Sequence, residues 1–421
     1  MADESILSDD FLRELINVGE VDILVGLPTY NDAKTVGKVV EAIRVGLLKF
    51  FPRQRAVIIN ADAGSRDGTQ DIVRAASISD LRHTSDVRAL RTLHCISTEY
   101  SGETNPGRAL HTLLAAADLV RAPACAVISS ESTTIDPEWV DKLLAPIRRD
   151  NIDFVTPTYR RHKFDGLLLR NLVYPMTRAL FDKRIREPFP PEYAFSARLG
   201  NQLLLADIWG TEAAIGAEMC MTLAALTGDF RVAQTFLGDK TRVDHVPADL
   251  VRAMRQTVGV IFSSLESKFS FWSTHQGSQP VPTCGSDHEV SLEPLRINRK
   301  RLHQIFVRGI GDLESVLRSI LTPETMTQLQ NSVTLPEESF RYSNEMWVRT
   351  VYEFAASYKK APISRDHIVQ ALVPLYRGKA YTFLMENRDA TADEVESNVE
   401  SLCQTFEQMK PELVQVWNGG K

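Results

Sequence analysis

Residues 21–51 read VDILVGLPTYNDAKTVGKVVEAIRVGLLKFF, and the spacing of apolar residues changes partway along this segment. The opening VDILVGLP is a short apolar run, which predicts a buried strand. The later TVGKVVEAIRVGLLKFF has apolar residues three and four positions apart, which predicts a helix. The segment is therefore predicted to be a strand and a helix joined by a polar loop.

The same alternation continues to residue 159. Further strands are predicted at RAVIINAD, LRTLHCIS, ACAVISS and FVTPTY, and further helices at DGTQDIVRAA, PGRALHTLLAAADLV and PEWVDKLLAPI. Strands that alternate with helices of this length indicate an α/β fold, with a mainly parallel, Rossmann-like sheet covered by helices on both faces. Because ligands bind beyond the carboxyl ends of such strands, the functional residues should follow each apolar run.

The second half of the chain is predicted to be helical beyond a polar segment, THQGSQPVPTCGSDHE, at residues 274–289. Apolar residues there fall on helical stripes that predict packing surfaces: Ile305, Phe306, Ile310, Leu313, Val316, Leu317, Ile320 and Leu321, then Trp347, Val348, Val351 and Phe354. This C-terminal helical module is expected either to dock on the α/β domain or to form a homodimer. The predicted boundaries are an N-terminal segment 1–20, a catalytic domain 21–265, a linker 266–294 and a helical domain 295–421.

The composition of the 421 residues, 43% hydrophobic and 24% charged, is that of a globular protein. The net charge of −6 argues against a general nucleic-acid binder and leaves room for a local basic pocket. The five cysteines are scattered and show no CxxC spacing, which argues against a disulfide framework or a zinc site. We expect reduced thiols.

The first residues, MADESILSDDFLRELI, lack the positive and apolar regions of a signal peptide. No apolar run approaches the roughly 20 residues that a membrane-spanning helix needs. These observations predict a cytoplasmic protein without a membrane span.

Polar residues follow the first two predicted strands: Pro28, Thr29, Tyr30, Asn31 and Asp32 after the first, and Asp62, Gly64 and Ser65 after the second. Each loop alone could be a turn with a helix cap. Together they resemble the first two loops of GT-A nucleotide-sugar glycosyltransferases. The resemblance implies that the first loop cradles the base and ribose of the donor, and that Asp62 accepts hydrogen bonds from them.

Later segments are similar to the retaining glucosyl-3-phosphoglycerate synthase and glucosylglycerate synthase group, over roughly residues 21–260. They are NPGRALHTLL, SSESTTIDPEWVDKLLAPI, TPTYRRHKFDG, NLVYPMTRALFDKRIREPFPPEYAFS and IGAEMCMTLAAL. The resemblance implies that Gly107 and Arg108 bind the donor. It also implies that Glu192 and Glu218 are the catalytic acids, which hold the hydroxyls of the sugar or orient the acceptor.

The chain departs from the motifs of that group at three places. Pro106 stands where the group has a lysine, and the D-x-D motif becomes Glu131, Ser132 and Thr133. Two glycines become Pro190 and Pro191, which removes two backbone N–H donors. These changes affect the parts that contact the diphosphate, the metal and the sugar.

A divalent metal ion would stabilise the diphosphate that leaves in such a reaction. Mg²⁺ or Mn²⁺ prefers oxygen ligands, and of the two acids of the motif only Glu131 is present. The resemblance implies a late histidine as a further ligand, which is His245, with Asp239 and Asp244 as competitors. We therefore expect a weakened metal site.

A basic cluster, Arg160, Arg161, His162 and Lys163, follows the fifth predicted strand. Such a cluster is often a solvated surface. At a strand end it can also bind a carboxylate or phosphate, because guanidinium groups make bidentate contacts with both. Arg160, Arg161 and Lys163 are therefore predicted to bind an anionic acceptor.

The sequence thus predicts a glycosyltransferase that moves a hexose from a UDP- or GDP-sugar to a small acceptor such as glycerate or 3-phosphoglycerate. The alternative is a non-catalytic relative that binds nucleotide sugars as a sensor or partner subunit. A nucleotidyltransferase is disfavoured because it needs a glycine-rich, basic loop after the first strand, and LPTYNDA has neither property.

Overall fold

The computed structural model describes residues 6–79, 93–100, 105–210, 212–239, 249–285 and 297–419. Its strands are β1 (Ile23–Thr29), β2 (Ala56–Asp62), β3 (His94–Glu99), β4 (Ala124–Val127), β5 (Phe154–Arg160), β6 (Tyr193–Ser196), β7 (Val232–Asp239) and β8 (Thr283–Cys284). Its helices are α1 (Asp9–Val18), α2 (Val36–Phe50), α3 (Thr69–Ser79), α4 (Pro106–Leu119), α5 (Glu138–Arg149), α6 (Tyr174–Phe181), α7 (Ala197–Leu204), α8 (Glu212–Thr227), α9 (Leu250–Met254), α10 (Val260–Ser267), α11 (Phe269–Trp272), α12 (Arg299–Asp312), α13 (Glu314–Ile320), α14 (Pro323–Val333), α15 (Asn344–Lys360), α16 (Arg365–Glu386) and α17 (Ala392–Trp417). Further helical segments, which are not α-helical, are Leu169–Val173, Arg255–Gly259 and Glu337–Ser339.

The chain forms two compact units, and each is assembled from separate segments. The first unit comprises Met1–Tyr159, Phe189–Lys240 and Val281–Val290. The second comprises Arg160–Pro188, Thr241–Pro280 and Ser291–Lys421. The domain boundaries predicted above follow one another along the chain, whereas these units interleave. Those boundaries and the homodimer stay predictions.

The sheet has eight strands among the described residues, in the order β3-β2-β1-β4-β6-β5-β7-β8. β1 pairs in parallel with β2 and β4, and β2 pairs in parallel with β3. β6 pairs antiparallel with both β4 and β5. The predicted α/β class with a mainly parallel sheet is therefore confirmed. The short antiparallel β6 was not predicted by the apolar pattern.

Helices cover both faces of this sheet, as predicted. On one face, Ile23, Val25 and Leu27 of β1 belong to a core that includes residues of α2 and α5. On the other face, α4 contacts β1 and β2 and also packs against α7 and α8. Gly26 faces α4, because a Cβ added to it would lie 2.6 Å from Cδ1 of Leu113. Alternate residues of β1 are therefore buried on opposite faces.

The second unit is helical, which confirms the predicted C-terminal helical module. Most of the predicted stripe residues are buried in it, among them Phe306, Ile310, Leu317, Ile320, Trp347, Val348, Val351 and Phe354. The indole N–H of Trp347 donates to the carbonyl oxygen of Asn171 at 2.8 Å, which joins α15 to a much earlier segment of the chain. The unit therefore depends on contacts between distant parts of the sequence.

An ionic cluster ties α6 to α17 within the second unit. The side chain of Arg178 is only 1% exposed. Its guanidinium donates to the Glu400 carboxylate at 2.6 and 2.8 Å and to Glu407 at 2.8 Å. Because each N–H group of a buried guanidinium needs an acceptor, these carboxylates make the burial of Arg178 possible.

All five cysteines are free thiols, and four of them are buried. Burial raises the pKa of the Cys125 and Cys403 thiols to about 12. These two groups are therefore protonated, unreactive thiols at neutral pH. None of the helices in the described ranges has both the length and the apolar character that a membrane crossing requires.

Candidate active site at the carboxyl edge of the sheet

The loops after β1 and β2 are joined by hydrogen bonds. The Thr29 hydroxyl donates to Oδ1 of Asp62 at 2.6 Å. The backbone N–H of Asn31 donates to Oγ of Ser65 at 2.8 Å, and the N–H of Arg66 donates to Oδ1 of Asn31 at 3.0 Å. Asn31 has a φ of 59°, a left-handed conformation that asparagine tolerates better than most residues. The two loops therefore form one polar rim where their strands end.

Asp62 is fully buried and accepts hydrogen bonds from five donors. Oδ1 accepts from the hydroxyls of Thr29 and Ser65, both at 2.6 Å. Oδ2 accepts from the N–H groups of Gly64 and Ser65 and from the amide of Gln70, at 2.7 to 3.0 Å. A carboxylate has about four lone-pair sites, so these five donors occupy all of its hydrogen-bonding capacity. Asp62 organises the loop, and its contact with a nucleotide-sugar donor stays a prediction.

A buried polar chain extends the rim across three strands. The amide of Asn60 donates to the Thr29 hydroxyl at 2.6 Å, and the Ser97 hydroxyl donates to Oδ1 of Asn60 at 2.6 Å. Asn60 is fully buried, and Ser97 and Thr29 are nearly so. Such a satisfied network fixes the relative positions of the strand ends.

The loop after β4 joins the same rim through Ser130. The Ser130 hydroxyl lies 2.6 Å from Oδ2 of Asp32 and 3.0 Å from the carbonyl oxygen of Pro28. The N–H of Tyr30 also donates to Oδ2 of Asp32, at 2.9 Å. The Tyr30 side chain is about half exposed at this point, with a relative exposure of 52%. The rim therefore presents one aromatic ring on a firmly bonded loop.

Glu192 directly precedes β6, at the rim, and is fully buried. The hydroxyls of Ser132 and Tyr159 both donate to its carboxylate. The next residue, Tyr193, pairs with Val127 at the end of β4. Because β6 runs antiparallel, its first residues lie at the edge where the parallel strands finish. The structure thus brings Glu192 to the predicted rim.

Glu218 lies in α8 and is half-buried. Burial raises the pKa of the Tyr193 phenol, and the charge of Glu218 raises it further. Gly216 has non-helical angles, φ −154° and ψ 77°, which interrupt α8 just before Glu218. The catalytic roles of Glu192 and Glu218 stay predictions.

Glu131 is exposed on the loop that follows β4. Its N–H donates to the Ser129 hydroxyl at 3.3 Å. Thr133, two residues later, is also exposed, and its carbonyl oxygen accepts a hydrogen bond from Nζ of Lys38. A lysine therefore brings positive charge to the loop where the resemblance implies a second acid.

The further metal ligands predicted above have different outcomes. His245 and Asp244 lie in 240–248, outside the described residues. Asp239 is the last residue of β7 and is half-buried. Within the described ranges, no three His, Cys, Asp or Glu side chains are grouped so that they could hold a metal ion. The ligand set of Glu131 and His245 stays a prediction.

The start of α4 is shaped by a cap and a close helix contact. The Asn105 side chain accepts hydrogen bonds from the N–H groups of Gly107 and Arg108, at 2.8 and 3.4 Å. A Cβ added to Gly107 would lie 2.4 Å from the carbonyl oxygen of Ala213 in α8. Glycine at 107 is therefore required by packing, and Arg108 is exposed beside it. Their contact with a donor stays a prediction.

Arg161 of the basic cluster is paired inside the second unit. Its side chain is 6% exposed and contacts Glu187 at 2.7 Å and Asp165 at 3.1 Å. Burial lowers the pKa of Arg161, but the two carboxylates raise it more strongly, so its pKa lies above the usual value. The charge of Arg161 is neutralised by its neighbours, which gives this residue a structural role.

Lys163 also has structural partners in the second unit. Its ammonium donates to the carbonyl oxygens of Arg388 and Ala390, at 2.9 and 2.8 Å. Arg160 is the last residue of β5 and is exposed. Of the three residues predicted to bind the acceptor, Arg160 thus has the most accessible side chain. All three assignments stay predictions.

The geometry also identifies residues that the sequence did not single out for a role. Ser130, Ser132 and Tyr159 hold Asp32 and Glu192. The serines stand within SSES directly after an apolar run, and the tyrosine ends FVTPTY. Serine and tyrosine at these positions form no recognisable motif. Their position at the end of a predicted strand was the signal that could have identified them.

Solved structures similar to this chain include glycosyltransferases. Glucosyl-3-phosphoglycerate synthase from Mycobacterium tuberculosis, in complex with Mn²⁺, UDP and glucosyl-3-phosphoglycerate, is 22% identical over 62% of this chain and 84% of that chain, with a TM-score of 0.43. Mannosyl-3-phosphoglycerate synthase from Rubrobacter xylanophilus is 19% identical over 64% of this chain and 81% of that chain, with a TM-score of 0.40.

No protein-family model and no curated protein matches the sequence. The glucosyl-3-phosphoglycerate synthase structures belong to the group that the sequence motifs resemble. Likeness at these identities and TM-scores assigns no role to an individual residue.

Proposed function

We propose that this chain is a glycosyltransferase of the GT-A class. It moves a hexose from a UDP- or GDP-linked sugar to a small anionic acceptor such as glycerate or 3-phosphoglycerate, with retention at the anomeric carbon. One observation carries the proposal: hydrogen bonds gather the loops after β1, β2 and β4 and the start of β6 into one polar rim. This edge of a parallel sheet is where α/β proteins bind nucleotides.

The donor is proposed to lie along this rim. The donor-binding residues are Pro28, Thr29, Tyr30, Asn31, Asp32, Asp62, Gly64, Ser65, Gly107 and Arg108. The exposed face of Tyr30 suits stacking on a nucleobase, because aromatic rings offer a large rigid surface. Asp62 and Ser65 hold the second loop in the shape that meets the first.

The proposed cofactor is Mg²⁺ or Mn²⁺, held by Glu131 and His245. Bound there, the ion would neutralise the negative charge of the departing diphosphate. Thr133 supplies no charge to such a site, so we propose a weakly held ion. The Lys38 ammonium donates to the Thr133 carbonyl in the same loop. It would therefore add positive charge that helps to neutralise the diphosphate.

The acids Glu192 and Glu218 are proposed to act on the sugar and acceptor side. In a retaining transfer on one face of the sugar, the departing phosphate oxygen takes the proton of the acceptor hydroxyl. A strong enzymatic base is then unnecessary, and a carboxylate instead orients hydroxyl groups. The hydroxyl donors on Glu192 fit this role, since they fix the position of its carboxylate.

The test is transfer by the purified protein from UDP-glucose or GDP-glucose, with Mn²⁺, to a panel of small anionic acceptors. We expect nucleoside diphosphate release that needs both donor and acceptor, and a product with the anomeric configuration of the donor sugar by NMR. The Arg160→Gln variant is expected to raise the KM for an anionic acceptor. Absence of transfer to every acceptor contradicts an enzymatic role.

Two matched variants test the metal assignment. Glu131→Gln should raise the Mn²⁺ concentration for half-maximal rate by about tenfold or more, since even outer-sphere partners of metal sites contribute that much. Glu138→Gln removes an exposed carboxylate from the start of the nearby α5 and should leave that concentration unchanged. Equal behaviour of the two variants would show that Glu131 does not hold the ion.

A non-catalytic relative that binds nucleotide sugars as a sensor or partner subunit is the second candidate. It is favoured by the full burial of Asp62 and Glu192, both of which are already hydrogen-bonded. In this case a nucleotide sugar raises the Tm, but no nucleoside diphosphate is released with any acceptor. Thermal shift and product release measured on the same sample separate the two candidates.

A further inference from the structure

Glu99 is the last residue of β3 and lies beside Asp62 at the carboxyl edge of the sheet. The two residues are register partners in the parallel pair of β2 and β3. The N–H of Tyr100, the next residue, donates to the carbonyl oxygen of Asp62 at 3.1 Å, so the two strands stay paired past Glu99. The Glu99 side chain is exposed, whereas that of Asp62 is fully buried. This edge therefore presents an accessible carboxylate next to a buried one.

The two carboxylates differ in the hydrogen bonds that they already accept. The capacity of Asp62 is used by five donors within the protein. In the part of the chain that the structure describes, the Glu99 carboxylate accepts one hydrogen bond, from Nε2 of Gln70 at 3.5 Å. This distance is long for an N–H···O contact. Glu99 rather than Asp62 is therefore the acceptor available to a ligand.

The backbone of Gly64 lies directly against this carboxylate. Gly64 has a φ of 84°, in the left-handed region that favours glycine. A Cβ added to it would lie 3.3 Å from Oε1 of Glu99, so a side chain at this position would crowd the carboxylate. Glycine leaves this side of the loop open, and a planar ring has room to approach Glu99.

Tyr30 lies on the same edge of the sheet, on the loop after β1. Neighbouring strands are about 4.8 Å apart, so the ends of β1 and β3 are separated by roughly 10 Å. The hydrogen bond from Asn31 to Ser65 joins the first loop to the second, which lies between them. A nucleobase stacked on Tyr30 spans part of this separation, and the side chain of Glu99 can span the rest. The polar edge of the base then meets the carboxylate.

The bases differ in what they offer to a carboxylate. Guanine presents a ring N–H and an amino group side by side, whereas uracil presents a single ring N–H between two carbonyl oxygens. A carboxylate accepts both guanine donors at once, through its two oxygens. Against uracil, at least one carboxylate oxygen faces a carbonyl oxygen, and two acceptors repel each other. An accessible carboxylate at the base therefore favours guanine.

We propose that Glu99 selects the base of the donor and that the base is guanine, so that the donor is a GDP-linked sugar. This inference rests on the function proposed above and makes it more specific. Glu99 determines specificity and takes no part in the transfer of the sugar.

Calorimetric titration of the full chain with GDP, UDP and inosine diphosphate, in one buffer with Mn²⁺, tests the selection. Inosine diphosphate has the ring N–H of guanine without the amino group. We expect GDP to bind at least about tenfold more tightly than either of the others, because a bidentate contact with a base discriminates by that much. UDP binding as tight as that of GDP overturns the inference and leaves the proposed glycosyltransferase standing. Binding of no nucleotide contradicts both.

A matched pair of variants assigns the selection to Glu99. Glu99→Gln replaces one acceptor by an N–H donor, and such an amide complements the ring N–H and one carbonyl of uracil. We expect this variant to bind GDP at least about tenfold more weakly and UDP more tightly than the wild type. Asp71→Asn removes an exposed carboxylate next to Gln70 and should keep the preference of the wild type.

The ratio of GDP to UDP affinity is the decisive quantity, because a merely structural role of Glu99 would weaken both nucleotides together. Since Glu99 is exposed, Glu99→Gln is expected to keep the Tm of the wild type. An unchanged ratio in Glu99→Gln, or an equal change of the ratio in Asp71→Asn, overturns the proposal.

Discussion

Asp62 and Glu192 are buried carboxylates that keep their place because hydroxyl and N–H groups surround them. A buried charge without such partners would cost several kcal/mol. The rim is therefore stabilised by its own hydrogen bonds, whether or not a ligand is present. Glu131 differs from both, because it is exposed and open to an ion or to solvent.

Removal of the Tyr159 hydroxyl should destabilise the first unit through Glu192. We expect Tyr159→Phe to lower the free energy of unfolding by about 2 kcal/mol, because a buried carboxylate loses a donor. In a Glu192→Gln background the same change should cost about half as much, since hydrogen bonds to a charged group are roughly twice as strong. Urea unfolding of the four proteins measures both values.

The control is Tyr30→Phe, which removes a hydroxyl from an exposed tyrosine and should change stability by less than about 0.5 kcal/mol. If Tyr159→Phe costs the same in both backgrounds, the two side chains are not coupled, and the proposed fixing of Glu192 is wrong.

Among the elements, β1 to β5 and their helices could be predicted because apolar runs alternate with helical spacing. β6 has four residues and runs antiparallel, so neither its length nor its neighbours gave a periodic signal. The convergence of the loops after β1, β2 and β4 followed from parallel strands ending at one edge. The contact of Ser132 with Glu192, 60 residues later, could not be derived from local pattern.

Charge clusters were the least predictable part of the site. Arg160, Arg161 and Lys163 formed a plausible anion site in the sequence, yet Arg161 is neutralised by Glu187, 26 residues away. Tertiary contacts determine whether a cation pairs within the protein or stays available to a ligand. Sequence spacing alone does not contain that information.

Gly107 tests the contact between α4 and α8. Gly107→Ala should lower the free energy of unfolding by about 1–3 kcal/mol, because its Cβ would meet the Ala213 carbonyl and force the helices apart. Gly210→Ala, where an added Cβ meets nothing within 4 Å, is the matched control. Equal thermal midpoints for the two variants would contradict the close contact.

Lys379 of α16 makes the stability of the second unit depend on pH. It is 3% exposed, and its ammonium donates to the Tyr342 carbonyl and to Asn344, at 3.3 and 2.7 Å. Burial lowers its pKa from 10.5 to about 8. Between these values the unfolded chain binds a proton that the folded chain has released, so the contribution of Lys379 to stability rises with pH.

Comparison with Lys379→Met isolates this effect from the other titrating groups. We expect the wild type to gain about 2 kcal/mol relative to the variant between roughly pH 7.5 and pH 9.5. Lys360→Met, an exposed substitution of the same type, should show no such change. Denaturant unfolding at both pH values measures the difference, and a gap that stays constant or narrows with pH contradicts the prediction.

At the scale of the molecule, the second unit depends on ion pairs between segments far apart in the chain. Glu407→Ala removes one carboxylate from the buried Arg178 and should lower the free energy of unfolding by about 3 kcal/mol. Glu412→Ala, on the same helix, breaks an exposed pair with Arg349 and should cost at most about 1 kcal/mol. Circular dichroism during urea unfolding compares them, and similar losses would argue against a special role for Arg178.

The interleaving of the two units has a consequence for synthesis on the ribosome. The first unit has all of its segments once residue 290 is made, whereas the second also needs Ser291–Lys421. At about 5–20 residues per second, the interval is roughly 7 to 26 seconds. During this interval α6 is not yet covered by α17. All residues of α6 are buried in the finished protein. We therefore expect the nascent chain to need chaperones, and slower translation of the last helices to lower the yield of native protein.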